Sequence, residues 1–241
     1  MKSTGAFASF RAAFERPQLK PTIILSVSTV TLITWKYFFS PQFYLAQISS
    51  RFEWFSDPLA AAAVYHFLGT LLLMGVIPAL IVKCVFREKL ADYGVRFGDR
   101  LRTPRSFLVC APVIVLLAYF AAHNSSFWRE YPINRHAGAS PLTFALHALT
   151  YLLFYFGWEF QFRGFMQHGL QDSMGTVNAL LVQVMASVIL HIGKPVGETY
   201  GAIFGGLIWG VLAYRTRSLL SGLAQHFLLA ILLDAFICYA R

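Results

Sequence analysis

Charge is the scarcest commodity in this chain. Only 13 % of its 241 residues are Asp, Glu, Lys or Arg, against 57 % hydrophobic, and the mean hydropathy is +0.57. A water-soluble domain of this size rarely carries so little charge, so the composition excludes a Rossmann enzyme, a secreted disulfide scaffold and a DNA-binding module. Cysteine is scarce too. Cys84, Cys110 and Cys238 lie in or beside apolar segments with no CxxC spacing, which argues against both a disulfide framework and a cysteine-rich metal site. No HExxH motif, long internal repeat or low-complexity tract is present. Acidic residues are the rarer charge, eleven against twenty basic ones, giving +9. In a polytopic membrane protein such an excess marks cytoplasmic loops and not a nucleic-acid surface, so no nucleic-acid partner is expected.

What remains is a series of apolar runs. At about 20 residues per crossing, candidate spans fall at roughly 22–39, 58–83, 106–122, 141–165, 176–193, 199–214 and 218–238. The predicted fold is all-α, a polytopic membrane helical bundle of about seven transmembrane helices. Residues 1–21 read as a cytoplasmic amphipathic segment, with Phe7, Phe10 and Phe14 at helical spacing among Lys2, Arg11, Arg16 and Lys20. Arg11, Glu15 and Arg16 interrupt its apolar stretch, so a cleaved leader is not expected. Residues 22–241 then form a single transmembrane domain. With the N-terminus inside, thirteen Lys and Arg fall on the inner segments, whereas the outer ones hold five, Arg51, Arg129, Arg135, Lys194 and Arg241. The positive-inside rule selects that orientation. Phe43, Tyr44, Phe52, Trp54 and Phe55 read as an outer interfacial belt, and Gly201, Gly205, Gly206 and Gly210 as a close helix contact.

An ionisable side chain inside a span costs at least about 2.5 kcal/mol, so those that persist are paired, face a cavity or take part in chemistry. Four positions stand out: Glu159, Arg163, His191 and His226. Glu159 and Arg163 are four apart, which stacks them on one helix face as an ion pair. Gln183, Ser187 and His191 draw a polar stripe on the fifth span, and Gln225, His226 and Asp234 mark the seventh. Glu159 stands sixteen residues before Gly175 and His191 sixteen after it. At about 1.5 Å per residue both lie roughly 24 Å from the turn that joins their helices, hence at the same depth. A carboxylate and an imidazole can then share an intramembrane site. The alternative, a structural polar network that fixes helix register, has the same spacing. His66 and His147 read as packing histidines, and His123, His136 and His168 as loop or interfacial groups.

The segment Trp158-Glu159-Phe160-Gln161-Phe162-Arg163-Gly164, a single intramembrane histidine at 191 and His226 in the last span resemble, in that order, the motifs of the CPBP family of intramembrane proteases. That family includes the CAAX prenyl proteases and bacteriocin-processing or immunity proteins. The likeness covers roughly residues 88–238, with the core motifs in 141–238. Two departures are visible: the first Glu of the family's Glu-Glu-x-x-x-Arg motif falls on Trp158, and the position four after the last His is Ala230. The pattern with His191-Ile192-Gly193-Lys194-Pro195 and Glu198 resembles a myxosortase-like bacterial branch that works with a single motif Glu.

The resemblance implies an intramembrane endopeptidase in a bacterial inner membrane, cutting a membrane-anchored protein or peptide substrate near its anchor. Glu159 and His191 would activate water, His226 would donate to the oxyanion, and Arg163 would position Glu159. Lys194 and Glu198, at the outer mouth, would contact substrate or form a surface ion pair. No cofactor is expected; zinc held by Glu159, His191 and His226 is the lesser alternative. Beside the protease stands a non-catalytic reading, a membrane immunity or scaffold protein. Proton-coupled transport fits less well, since a single polar cluster replaces a path of acidic residues.

Overall fold

The structure, a computed structural model, describes residues 16–51 and 56–240. The expected amphipathic segment over 1–21 thus lies almost wholly outside the described residues, as do Phe52, Trp54 and Phe55 of the aromatic belt. No strand occurs among the described residues.

Each apolar run becomes a helix. We label them α1 (Arg16–Phe38), α2 (Pro58–Phe86), α3 (Arg102–Ala122), α4 (residues 141–174), α5 (Thr176–Leu190), α6 (Val196–Thr216) and α7 (Leu220–Tyr239). By length and apolarity α2, α3, α6 and α7 suffice to cross a membrane, and α1 joins them if its 49° bend into Pro41–Ile48 is counted as one span. The protein is an all-α membrane helical bundle. Helix α5, with 15 residues, reaches only about 22 Å, short of a hydrocarbon core of about 30 Å.

The helix ends follow from local chemistry. Asp57 Oδ1 accepts the backbone N–H groups of Leu59 and Ala60 at the start of α2, and Ser140 Oγ accepts that of Thr143 at the start of α4. In both, the next residue is proline, whose missing N–H needs no partner there. Gly175, at φ +80°, makes the turn between α4 and α5.

Helix α4 runs to Met174, well beyond the expected end near residue 165. Its residues 160–168 wind in wider π-type turns and are buried from Phe160 to Gln167. The polar side chains there are held by protein: Gln161 Nε2 donates to Ser28 Oγ at 2.8 Å and Gln167 Nε2 to the Gly210 carbonyl at 2.8 Å. His168 therefore sits within a helix and not in a loop. Helices α3 and α7 pack along their lengths, α6 lies against α5, and α2 lies against α4. Centred on α4, the largest core cluster includes Phe67, Tyr151, Trp158, Phe162 and Phe165.

Candidate active site

Glu159 is 1 % exposed in the middle of α4. Its Oε1 is shared. Arg163 Nη1 lies 3.2 Å away on the next turn of the same helix, and His226 Nδ1, from α7, donates to the same oxygen at 2.9 Å. Arg163 is also 1 % exposed, and its guanidinium lies 5.7 Å from the Trp209 ring. A guanidinium and an imidazole N–H thus converge on one carboxylate oxygen, the arrangement that makes burial of the charge tolerable. The other oxygen, Oε2, is buried with no protein partner. It faces Gly222 of α7, where a Cβ would come within 2.8 Å of it. Glycine here lets α7 close onto the carboxylate.

The His226 ring is clamped. Trp209 stacks on it at 4.2 Å between centroids and Tyr155 tilts against it at 4.5 Å. Trp209 Nε1 in turn donates to Gln225 Oε1 at 3.2 Å. The imidazole keeps 15 % exposure, in contrast to the occluded carboxylate.

His191 caps the end of α5. Its Nδ1 donates to the Ser187 carbonyl at 2.8 Å, which leaves Nε2 as the bare, basic nitrogen. It makes no hydrogen bond to Glu159; its neighbour is Trp158, whose ring meets the imidazole edge-on at 5.6 Å. That contact places His191 beside the residue that precedes Glu159. Trp158, at the position of the missing first motif Glu, is 4 % exposed and packs on Trp35, Phe154 and Phe162.

Lys194 and Glu198 do not pair with each other. Lys194 Nζ bonds Glu130 Oε2 at 3.1 Å, and Glu198 Oε1 accepts from the Tyr131 hydroxyl at 2.6 Å, so both tie the start of α6 to the loop between α3 and α4. His66 is held by the Phe39 carbonyl at 2.7 Å, as expected of a packing histidine.

A second buried carboxylate–imidazole pair escaped the sequence reading. His147 Nε2 donates to Asp234 Oδ2 at 2.8 Å with both side chains at 0 % exposure. The two pairs join the same helices with their partners exchanged: carboxylate on α4 and histidine on α7 in one, the reverse in the other. Twelve residues separate His147 from Glu159 and eight separate His226 from Asp234, about 18 and 12 Å of helix, so counting depth does not by itself match the two.

Residues 140–232 match the family model described as Rce1-like, type II CAAX prenyl endopeptidase. The match spans α4 to α7 and so contains Glu159, Arg163, His191 and His226. No curated protein and no solved structure matches the chain. The matched family is one of endopeptidases, which agrees with the class of protein expected from the motifs.

Proposed function

We propose that this chain is an intramembrane endopeptidase of the CAAX-protease type, acting on a membrane-anchored protein or peptide. One observation carries the reading: a buried carboxylate whose first oxygen is held by Arg163 and His226 while the second is left without a protein partner. An orphaned buried acceptor costs about 1–3 kcal/mol; Asp234 Oδ1 is orphaned too, but among the described residues its pair has no cation in the place that Arg163 takes beside Glu159. A water at Oε2 meets that need and is the nucleophile.

In this mechanism Glu159 Oε2 orients the water and His191 Nε2 takes its proton as the water oxygen bonds to the scissile carbonyl carbon. His226 acts here as the imidazolium, keeping Nδ1–H on Glu159 and presenting Nε2–H to the oxyanion. The intermediate then collapses, the C–N bond breaks, and His191 returns the proton to the leaving amine. Arg163 fixes the carboxylate. The zinc alternative suits this geometry poorly, because two of its three ligands, Glu159 and His226, are bonded to each other and a guanidinium stands 3.2 Å from the carboxylate. Among the described residues no group of three His, Cys, Asp or Glu comes together as a metal set.

The orientation supported by the charge count puts the N-terminus and the basic segments inside. Substrate then approaches from the outer half of the bilayer, as suits trimming of an exported protein's anchor, in keeping with the myxosortase-like resemblance. The deciding experiment is incubation of the purified protein, and of Glu159→Gln, with membrane-anchored peptides in liposomes. Cleavage by wild type that Glu159→Gln abolishes supports the assignment; equal cleavage by both refutes it.

A further inference from the structure

A cavity of about 450 Å³ opens at the end of the bundle where α1 and α5 finish and α2 begins. Its charged lining is one-sided: Lys36, Arg129, Arg135 and Lys194 against the single carboxylate of Glu130. Glu130 is taken by Lys194, and Arg135 donates to the carbonyls of Trp128 and Tyr131. Lys36 and Arg129 are exposed and join no ion pair among the described residues. Uncompensated cations in a concave, low-dielectric surface focus a positive potential and call for an anion. The rest of the wall is apolar, with Trp35, Leu45, Leu59 and Ile133. On α1, Lys36 lies among Ile33, Tyr37 and Phe38, all more than half exposed, as expected of a surface facing lipid chains.

We infer that this cavity binds the phosphate headgroup of an acidic phospholipid, with Lys36 and Arg129 as its charge partners and the apolar wall seating the adjoining glycerol and first acyl carbons. The volume lies in the range of small-molecule sites and far exceeds that of a bare phosphate ion. An amphiphile uses both kinds of wall, a free ion only one. The lining includes Leu190, Ile192 and Gly193, which flank His191 in the chain, but none of Glu159, His191 and His226, so a bound lipid would sit beside the candidate site without touching its reacting groups. The inference rests on the cavity and not on the protease reading.

Binding is measured on the full chain in neutral detergent by native mass spectrometry and thermal unfolding, with added phosphatidylglycerol, phosphatidylcholine or inorganic phosphate. Phosphatidylglycerol is expected to bind and raise Tm, and the other two are not. Lys36→Ala/Arg129→Ala is expected to weaken phosphatidylglycerol at least about tenfold, on the basis of roughly 1 kcal/mol per basic residue. Arg105→Ala, at the opposite end of the bundle, is expected to leave it unchanged. Equal binding of phosphatidylcholine, or an undiminished affinity in the double variant, overturns the proposal. So does inorganic phosphate acting as strongly as the lipid, which would mark a small-anion site. Loss of binding of a hydrophobic peptide with a free C-terminal carboxylate in the double variant, with lipid binding unaltered, would assign the cavity to substrate and also overturns the proposal.

Discussion

Glu159 and His226, 67 residues apart in the chain, share a 2.9 Å hydrogen bond inside the bundle. It joins α4 to α7, and its carboxylate end is the more deeply buried. Arg163 makes that burial possible. Arg163→Ala is therefore expected to destabilise the protein by about 3–5 kcal/mol, the usual cost of removing one partner from a buried pair. Glu159→Gln, which keeps the shape and a hydrogen-bonding oxygen, should cost less stability but remove about 100-fold or more of the activity. Thermal unfolding in detergent and a cleavage assay separate the two effects; an Arg163→Ala variant as stable as wild type would contradict the pairing.

Gly222 should behave as a site residue although it has no side chain. Alanine there must push Glu159 Oε2 away from a Cβ that would otherwise lie at 2.8 Å. Gly222→Ala is expected to lower turnover by about tenfold to 100-fold through misplacement of the carboxylate, with about 1–3 kcal/mol lost to overpacking. Gly201→Ala, where nothing lies within 4 Å of a Cβ, is the matched control and should retain full activity.

The His147–Asp234 pair is expected to be structural. Asp234→Ala leaves His147 Nε2 without an acceptor in a fully buried setting and should be strongly destabilising, by about 3–5 kcal/mol. His147→Leu/Asp234→Leu should recover much of that loss, since replacing both members of a buried pair by apolar groups is often neutral or stabilising. Cleavage per folded molecule should stay near wild type in the double variant.

At the end of the bundle where α1 begins and α2 finishes, burial by itself would raise the Glu88 carboxyl, and hydrogen bonds from Lys20 and Tyr93 outweigh it and hold the group below its ordinary value. A carboxyl depressed in the folded state adds stability above its unfolded pKa, and that contribution disappears as pH falls through the folded value. Glu88→Gln should therefore lower stability near neutral pH by about 1 kcal/mol or less, because the pair is partly exposed. The gap from wild type should close on acidification; unfolding at a series of pH values checks it.

Orientation is testable by labelling. After replacement of Cys84, Cys110 and Cys238, a cysteine at Ile192, which is 65 % exposed, should react with an impermeant maleimide from outside intact cells. One at Asp172 should react only after permeabilisation. The opposite pattern would invert the topology and favour substrates with cytoplasmic tails.

Much of this was legible in the sequence because hydropathy and charge act one residue at a time. Every apolar run became a helix, and the four-residue step from Glu159 to Arg163 gave an ion pair. The extent of α4 was not legible. The span is expected to end near residue 165, whereas partners for Gln161 on α1 and for Gln167 on α6 keep the helix buried to Gln167. Gly222 was missed because its role is the room it leaves for another helix's carboxylate. It lies four residues before His226 and so on the same face of α7, which was the available signal. Asp234 stood out as polar, but its partner His147 looked like an ordinary packing residue until the two helices were set side by side.

The stack of Trp209 on His226 gives the protein a built-in optical gauge. An imidazolium in contact with an indole quenches its fluorescence, whereas a neutral imidazole does so far less. With five tryptophans in the chain, the difference between wild-type emission and that of Trp209→Phe isolates the reporter. The protonation of one histidine in the site can then be followed in a silent, substrate-free protein, and a bound ligand that alters the Glu159–His226 bond announces itself as a change in light.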